Sequence, residues 1–236
     1  MTYQATLDAA WQRHLAPRSP DAPTVISLFA GCGGSTLGYR MAGYQDRLAV
    51  EWNAPAVTTL RRNFPDVPVW DGDIHVLSVE EALSLSGLRV GELDVLDGSP
   101  PCQGFSTAGK RQMMDERNQL FREYVRLLDG LRPRAFLFEN VSGLIKGKMR
   151  MIFVEILHAL QACGYSTSAR VLNAMYYGVP QRRERLIVMG LREDVTGRPS
   201  HPPARGWPVT VMQALHNAPF DADAVVCGKQ SWAYSE

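Results

Sequence analysis

The chain of 236 residues has few cysteines, no long apolar run and almost no net charge. Its four cysteines, at positions 32, 102, 163 and 227, show no Cys-x-x-Cys pair or other zinc-ligand spacing, so no metal site is predicted. Isolated thiols of this kind are typical of a reducing, cytoplasmic compartment. No window approaches the roughly 18 apolar residues of a membrane span, and residues 1–22 lack the apolar core of a signal peptide. The sequence therefore predicts a soluble cytoplasmic protein with no membrane partner.

The near-zero charge also limits the kind of surface that the protein exposes. A net charge of +1 argues against a broadly cationic surface but leaves room for a local basic groove. Apolar residues make up 45% of the chain, which is enough to build a sizeable core at this length.

Apolar runs alternate with helical patterns along most of the chain. Strands are predicted at residues 24–30, 47–50, 67–69, 93–97, 134–138, 166–174 and 186–190. Helices are predicted from the glycine-rich turn after the first strand to about residue 42, and at residues 54–63, 118–131, 148–164 and 210–217. This alternation predicts βαβ units, and therefore an α/β fold with a doubly wound, mostly parallel sheet.

The flanking segments differ from this pattern. Leu7, Trp11 and Leu15 fall on one face of a short helix, which we expect to pack against the main domain. From about residue 194 onward prolines crowd the chain. The predicted divisions are an appendage over 1–23, a main domain over 24–193 and a linker over 194–236.

A glycine-rich turn follows the first predicted strand and opens a helix. In Gly31-Cys32-Gly33-Gly34, the glycines let the backbone approach a ligand where a Cβ atom would clash. A strand, such a turn and a helix in this order are typical of the start of a nucleotide-cofactor fold. The spacing departs from Gly-x-Gly-x-x-Gly, so the dinucleotide fingerprint itself is absent.

Two later strand ends add candidate cofactor contacts. Glu51 lies 20 residues after Gly31, the separation at which an acid takes the two hydroxyls of a ribose. Trp52 offers an aromatic face to an adenine ring, and Asp73, after the third strand, is placed to accept from its exocyclic amine. The alternative is a surface acid and a half-buried tryptophan, which the spacing makes the weaker interpretation.

Cys102 follows the fourth predicted strand in the turn Gly98-Ser99-Pro100-Pro101-Cys102-Gln103. Two consecutive prolines make the turn stiff, and the carboxyl ends of strands are where open α/β sheets bind ligands. The alternative is a buried structural cysteine, the commoner role of a free thiol. We favour a nucleophile, because this turn is poorly suited to filling a core. The polar segment 107–117 that follows is a candidate lid over the site.

Four motifs in this order resemble those of the cytosine-5 DNA methyltransferases, over about residues 24–191. They are Phe29-Ala30-Gly31-Cys32-Gly33-Gly34, Pro101-Cys102-Gln103, Glu139-Asn140-Val141 and Gln181-Arg182-Arg183-Glu184-Arg185. Each motif alone is modest, whereas four in register are highly specific. The resemblance implies a Rossmann-like methyltransferase fold and makes 24–193 the catalytic and cofactor-binding domain.

The resemblance also implies the chemistry of the site. Cys102 matches a nucleophile that attacks carbon 6 of cytosine, which turns carbon 5 into an enamine-like nucleophile. Glu139 matches the acid that hydrogen-bonds the base at N3 and its amino group. Arg183 and Arg185 match the arginines that hold the pyrimidine oxygen and the backbone near the thiol. Taken singly, Glu139 is more typical of a strand-end helix cap and the arginines of a solvated or phosphate-binding strip, but together with Cys102 they favour the catalytic interpretation.

The methyl donor implied is S-adenosylmethionine, released as S-adenosylhomocysteine. The residues at matching cofactor-binding positions are Phe29, Gly31, Gly33, Glu51, Trp52, Asp73, Ile74, Pro101 and Leu120. The partner implied is duplex DNA, whose cytosine must be flipped out of the helix to reach such a pocket. An enzyme of this type is often paired with a restriction enzyme.

The family pattern continues beyond the arginine motif into a target-recognition region and a closing segment, and nothing after residues 209–215 matches them. Two explanations are open: a split enzyme whose second polypeptide carries both parts, or a piece of a longer chain. We favour the split enzyme, because the break falls at a tolerant loop. Two other functions remain as alternatives, namely cytosine-5 methylation of transfer RNA and a non-catalytic module that keeps the fold.

Overall fold

The computed structural model describes residues 18–101, 113–147, 149–204 and 208–216, together with Ala5, Ala9, His14 and Ala16. The strands are β1 (Thr24–Leu28), β2 (Gln45–Glu51), β3 (Val69–Asp71), β4 (Val95–Gly98), β5 (Ala135–Val141), β6 (Tyr165–Asn173) and β7 (Glu184–Arg192). The α-helices are α1 (Gly34–Met41), α2 (Ala54–Asn63), α3 (Val79–Ser86), α4 (Met113–Leu131), α5 (Met149–Ala162) and α6 (Val211–His216). Short 3₁₀ turns follow β5 at Ser142–Ile145 and β6 at Ala174–Tyr177.

These strands form one seven-stranded sheet in the order β3-β2-β1-β4-β5-β7-β6. The strands from β3 to β5 pair in parallel, whereas β7 runs antiparallel to both β5 and β6. The predicted α/β fold with a mostly parallel sheet is therefore confirmed. Because β7 is reversed, its amino end lies at the same edge of the sheet as the carboxyl ends of β4 and β5.

Several predicted boundaries were wrong, and one helix was not predicted. The third strand spans Val69–Asp71 rather than 67–69, because it pairs with Ala49–Glu51 and so extends to the cleft edge. Helix α4 begins at Met113, so residues 113–117 of the predicted polar lid are helical, and 107–112 lie outside the described residues. Helix α3 was not predicted, although Ser78 Oγ caps it by accepting from the Glu81 N–H.

The main core lies between the sheet and helices α4 and α5. Tyr124 of α4 is fully buried beneath the sheet, and its hydroxyl donates to the carbonyls of Leu96 and Leu137, at 3.3 and 3.2 Å. At Gly98 a Cβ atom would lie 2.7 Å from the Tyr124 ring. Glycine at the end of β4 therefore lets α4 pack against the strand that leads to the Pro-Pro-Cys turn.

Within the N-terminal appendage, the structure describes residues 18–23 and the single residues Ala5, Ala9, His14 and Ala16. Ala5, Ala9 and His14 are helical, and the His14 ring packs edge-on against Phe64 with 5.9 Å between centroids. The predicted stripe of Leu7, Trp11 and Leu15 lies outside the described residues, so its packing stays a prediction. In the part of the chain that the structure describes, no helix is both long and apolar enough to cross a membrane.

Candidate active site

A cleft of about 260 Å³ opens at the carboxyl ends of β1, β2 and β3. Its walls are mainly apolar, with two carboxylates and a histidine among them. The lining residues are Phe29, Val50, Glu51, Trp52, Gly72, Asp73, Ile74, His75, Pro101 and Leu120. Seven of the nine residues predicted to bind the cofactor are thus brought together here, and the exceptions are Gly31 and Gly33.

The Glu51 carboxylate hydrogen-bonds to the backbone at the ends of both β1 and β2. One carboxylate oxygen, Oε2, accepts from the Gly31 N–H at 2.8 Å, and Oε1 accepts from the N–H groups of Trp52 and Asn53, at 3.0 and 2.8 Å. The residue is only 9% exposed. Since each carboxylate oxygen can accept about two bonds, these contacts orient Glu51 and leave Oε2 able to accept from a further hydroxyl group.

Glycine is favoured for different structural reasons at Gly31 and Gly33, the two glycines predicted to bind the cofactor. Gly31 has a φ of +56°, which favours glycine, and a Cβ atom there would meet nothing within 4 Å. At Gly33, with φ at +91°, a Cβ atom would lie 2.4 Å from the Phe64 ring and 2.7 Å from Leu60. Gly33 therefore lets α1 pack against α2 and its C-cap, a role that was not predicted, and its close approach to a ligand stays a prediction.

The other wall of the cleft carries Trp52 and an aspartate–histidine pair. Trp52 is 74% exposed, so its ring is open to a ligand rather than half-buried. Asp73 Oδ1 lies 2.6 Å from His75 Nδ1 and also accepts from the His75 backbone N–H at 3.1 Å. These two contacts lower the pKa of Asp73, so the carboxylate is ionised near neutral pH.

A second cluster forms where β5 meets β7. Glu139 pairs with Ile187 in the antiparallel register and Val141 pairs with Arg185, which makes Glu139 and Arg185 diagonal neighbours on one face. Arg185 Nε lies 2.9 Å from Glu139 Oε1, and Arg183 Nη2 lies 3.9 Å from the same oxygen. Three of the four predicted catalytic residues are therefore in contact, and the fourth, Cys102, lies outside the described residues.

Asn140 connects this cluster to the turn that carries Cys102. Its side chain is on the opposite face of β5 from Glu139 and is 5% exposed. Its amide Nδ2 donates to the Pro100 carbonyl at 3.2 Å, while Oδ1 accepts from the Val141 N–H at 2.8 Å. The end of β5 thus holds the start of the Pro-Pro-Cys turn through one buried amide.

A buried acid, Asp97, lies on the same face as Glu139. In the register Asp97 pairs with Ser27 of β1 and Leu137 of β5, directly beneath α1. Its pKa is raised to about 7, mainly by burial; the negative charge of Glu139 acts in the same direction, and the neighbouring hydroxyl groups of Ser35, Tyr39 and Ser27 act in the opposite direction. Asp97 therefore titrates near neutral pH.

Sequence reasoning missed several residues of the site. Val50, Gly72 and His75 line the cleft, and Asn140 holds the Pro100 carbonyl. Each adjoins or lies within two residues of a predicted site residue, but their types carry no separate signal. Asp97 ends an apolar run, and the sequence contains no sign that its carboxyl is buried.

The fold and the cleft together identify the class of protein to which the chain belongs. A mostly parallel sheet with a ligand cleft at the carboxyl ends of its strands is the Rossmann-like fold of the S-adenosylmethionine-dependent methyltransferases. The family model for C-5 cytosine-specific DNA methylases matches residues 23–219, and the chain belongs to that family.

Two curated relatives and one solved structure illustrate the match. Type II methyltransferase M.XorII of Xanthomonas oryzae is 40% identical over 86% of this chain and 47% of its own length. Type II methyltransferase M.AquIA of Picosynechococcus is also 40% identical, over 76% of this chain and 77% of its own length. The crystal structure of an Escherichia coli prophage protein, described as a DNA modification methyltransferase, superposes with a TM-score of 0.71. It is 32% identical, and the match covers 83% of this chain and 55% of that protein.

Proposed function

We propose that the protein transfers a methyl group from S-adenosylmethionine to carbon 5 of a cytosine that has been flipped out of duplex DNA. The observation that carries this proposal is the contact of Arg185 with Glu139 at the end of β5. That contact lies beside β4, which ends at Gly98 and leads after a few residues to Cys102. An acid and two arginines in contact, with the acid on the strand beside the one that precedes Cys102 in the sequence, suit covalent activation of a pyrimidine by that thiol.

The chain's own residues would act as follows. The Cys102 thiolate forms a bond to carbon 6, and the electrons of the 5,6 double bond make carbon 5 nucleophilic. Glu139 hydrogen-bonds N3 and the amino group of the base, and Arg185 with Arg183 holds the pyrimidine oxygen and the backbone. After carbon 5 has taken the methyl group, loss of its proton and cleavage of the bond to sulfur restore the ring and the thiolate.

The cleft fits S-adenosylmethionine by its chemistry. Glu51 is fixed by three backbone N–H groups and would accept the ribose hydroxyls, and Trp52 presents an open ring to adenine. Asp73 would accept from the adenine amino group, and Phe29, Ile74, Pro101 and Leu120 would supply apolar contacts. The bound cofactor supplies an electrophilic methyl group.

Recognition of the target sequence is proposed to come from protein outside residues 1–236. The chain spans about half the length of M.XorII, and the family model ends its match at residue 219. A second polypeptide that carries the recognition region would fit both facts, as would further sequence in the same chain. The relatives are type II methyltransferases, which supports a role in a restriction-modification system.

The test is transfer of labelled methyl groups from S-adenosylmethionine to mixed-sequence duplex DNA and, separately, to transfer RNA. The chain is assayed alone and together with the product of the adjacent gene. Cys102→Ala is the test variant, and Cys163→Ala is the matched control, since Cys163 lies buried at the end of α5.

Transfer to DNA that needs the second protein and is lost only in Cys102→Ala would support the proposal in full. Transfer to DNA by the chain alone would support the chemistry and contradict the need for recognition from elsewhere. Transfer to RNA alone would replace DNA as the substrate. Methyl transfer that survives in Cys102→Ala would show that Cys102 is not the nucleophile.

A further inference from the structure

His75, which contacts Asp73 in the wall of the cleft, is not among the predicted site residues. Asp73 was predicted as a cofactor contact, whereas His75 emerged only as a lining residue of the folded chain. The Asp73 side chain is 57% exposed, so without a partner it would sample several rotamers. An acceptor that must meet one particular amino group gains affinity when it is held in place before binding.

The turn beneath the pair is held by several hydrogen bonds. Arg126 of α4 donates through Nη2 to the carbonyls of Ile74 and Leu77, at 3.1 and 2.8 Å. The Val76 N–H donates to the Asp73 carbonyl at 3.0 Å, which closes the turn from within. With the backbone held in this way, the remaining freedom of Asp73 is rotation about its own side-chain bonds.

His75 limits that rotation by two contacts with the same oxygen. Its backbone N–H donates to Asp73 Oδ1 at 3.1 Å, and ring Nδ1 lies 2.6 Å from Oδ1. An ionised carboxylate only accepts, so Nδ1 must carry the proton of this bond. Among the described residues, Asp73 Oδ1 has these two hydrogen-bond partners and Oδ2 has none, so Oδ2 remains available to a ligand.

We infer that His75 is a positioning residue for the cofactor: it holds Asp73 through Oδ1 and leaves Oδ2 to accept from the 6-amino group of adenine. This inference rests on the proposed function, since it assumes that S-adenosylmethionine occupies the cleft. His75 would then contribute to selection of an adenine-containing cofactor over purines that lack the amino group.

The test measures binding rather than turnover, by calorimetry with two ligands. One ligand is S-adenosylhomocysteine, and the other is its analogue with hydrogen in place of the 6-amino group. The variants are His75→Ala and His75→Asn, because an asparagine amide can take the place of ring Nδ1. The matched control is His158→Ala, which removes an exposed histidine from α5.

We expect His75→Ala to weaken binding of S-adenosylhomocysteine roughly fivefold or more and to leave binding of the analogue almost unchanged. His75→Asn is expected to recover part of the loss, and His158→Ala to bind as the wild type does. Thermal unfolding of each variant shows whether it is folded. If His75→Ala is unfolded, the affinities of His75→Asn for the two ligands are compared with those of the wild type instead.

Three results would overturn the inference. An unchanged affinity in both His75 variants would show that Asp73 needs no support from the ring. Equal losses for both ligands would mean that His75 acts elsewhere in the cleft and not through the amino group. Failure of the wild-type chain to bind S-adenosylhomocysteine would instead remove the cofactor from the proposed function, and with it this inference.

Discussion

At the scale of single residues, the cluster of Glu139, Arg185 and Asn140 depends on side chains that point to opposite faces of one strand. Glu139 faces Arg185, while its neighbour Asn140 reaches the Pro100 carbonyl on the other side. Alternation along β5 therefore lets two consecutive residues contact the proposed base pocket and the turn that precedes Cys102 separately. A change at Asn140 is expected to affect the turn without touching the Glu139 pair.

We predict that Asn140→Ala lowers kcat by roughly tenfold or more, because a small misplacement of a nucleophile has a large effect on rate. Asn140→Asp keeps the acceptor for the Val141 N–H but loses the donor to Pro100, so it is expected to be similarly slow. Single-turnover methyl transfer and the Kd of S-adenosylhomocysteine measure the two effects. A wild-type rate in Asn140→Ala, or a loss confined to cofactor affinity, would contradict this role.

At the scale of secondary-structure elements, the glycine-rich turn joins β1 to α1 and is held by its neighbours. The first glycine, Gly31, donates its backbone N–H to the Glu51 carboxylate. The second, Gly33, has no Cβ atom and so allows α1 to approach Phe64 and Leu60. The third, Gly34, is the first residue of α1, and a Cβ atom there would meet nothing within 4 Å. Neighbouring glycines in one motif therefore differ in how much a side chain would disturb the packing.

We predict that Gly33→Ala destabilises the protein by about 2–4 kcal/mol, because it combines a positive φ with overpacking against Phe64. Gly34→Ala is the matched control, and a change within about 0.5 kcal/mol is expected, since the helical backbone accepts alanine there. Urea unfolding of the two variants measures the difference. Equal stabilities would show that the α1–α2 contact does not require glycine.

At the scale of the whole molecule, buried acids couple stability to pH. Burial raises the pKa of Asp97 to about 7, and it raises that of Asp46 to about 6 despite an ion pair with Arg40 at 3.0 Å. An aspartate in the unfolded chain titrates near pH 4, so between pH 4 and 7 the folded state binds more protons. The stability contributed by these acids is complete below about pH 4 and is lost as pH rises through 6 to 7.

We predict that the free energy of unfolding falls between pH 5.5 and 8, and that Asp97→Asn removes much of this fall. Each pKa unit corresponds to about 1.4 kcal/mol, so the expected effect is on the order of 2–3 kcal/mol over this window. Asp194→Asn is the matched control, because Asp194 is exposed and its pKa is lowered by Arg192. Parallel pH profiles of wild type and Asp97→Asn would contradict the prediction.

The sequence by itself determined the class of fold and the positions of most site residues. Strand and helix types follow from local periodicity, which the chain shows clearly from Thr24 to Gly190, and motif spacing placed Glu51 and Asp73 at one edge of the sheet. Even the unpredicted α3 carries a local signal in Ser78 and Glu81, the start of a capping box. These features lie within short stretches of chain, so the residues themselves encode them.

Only the tertiary structure decided which distant groups meet. The reversal of β7 brings Arg185 within 2.9 Å of Glu139, 46 positions earlier, and no local pattern specifies that register. Packing likewise decided that Gly33 serves the α1–α2 contact and that the Asp97 carboxyl is buried with a raised pKa. Such properties arise from distances between elements and from exclusion of water, which exist only once the chain is folded.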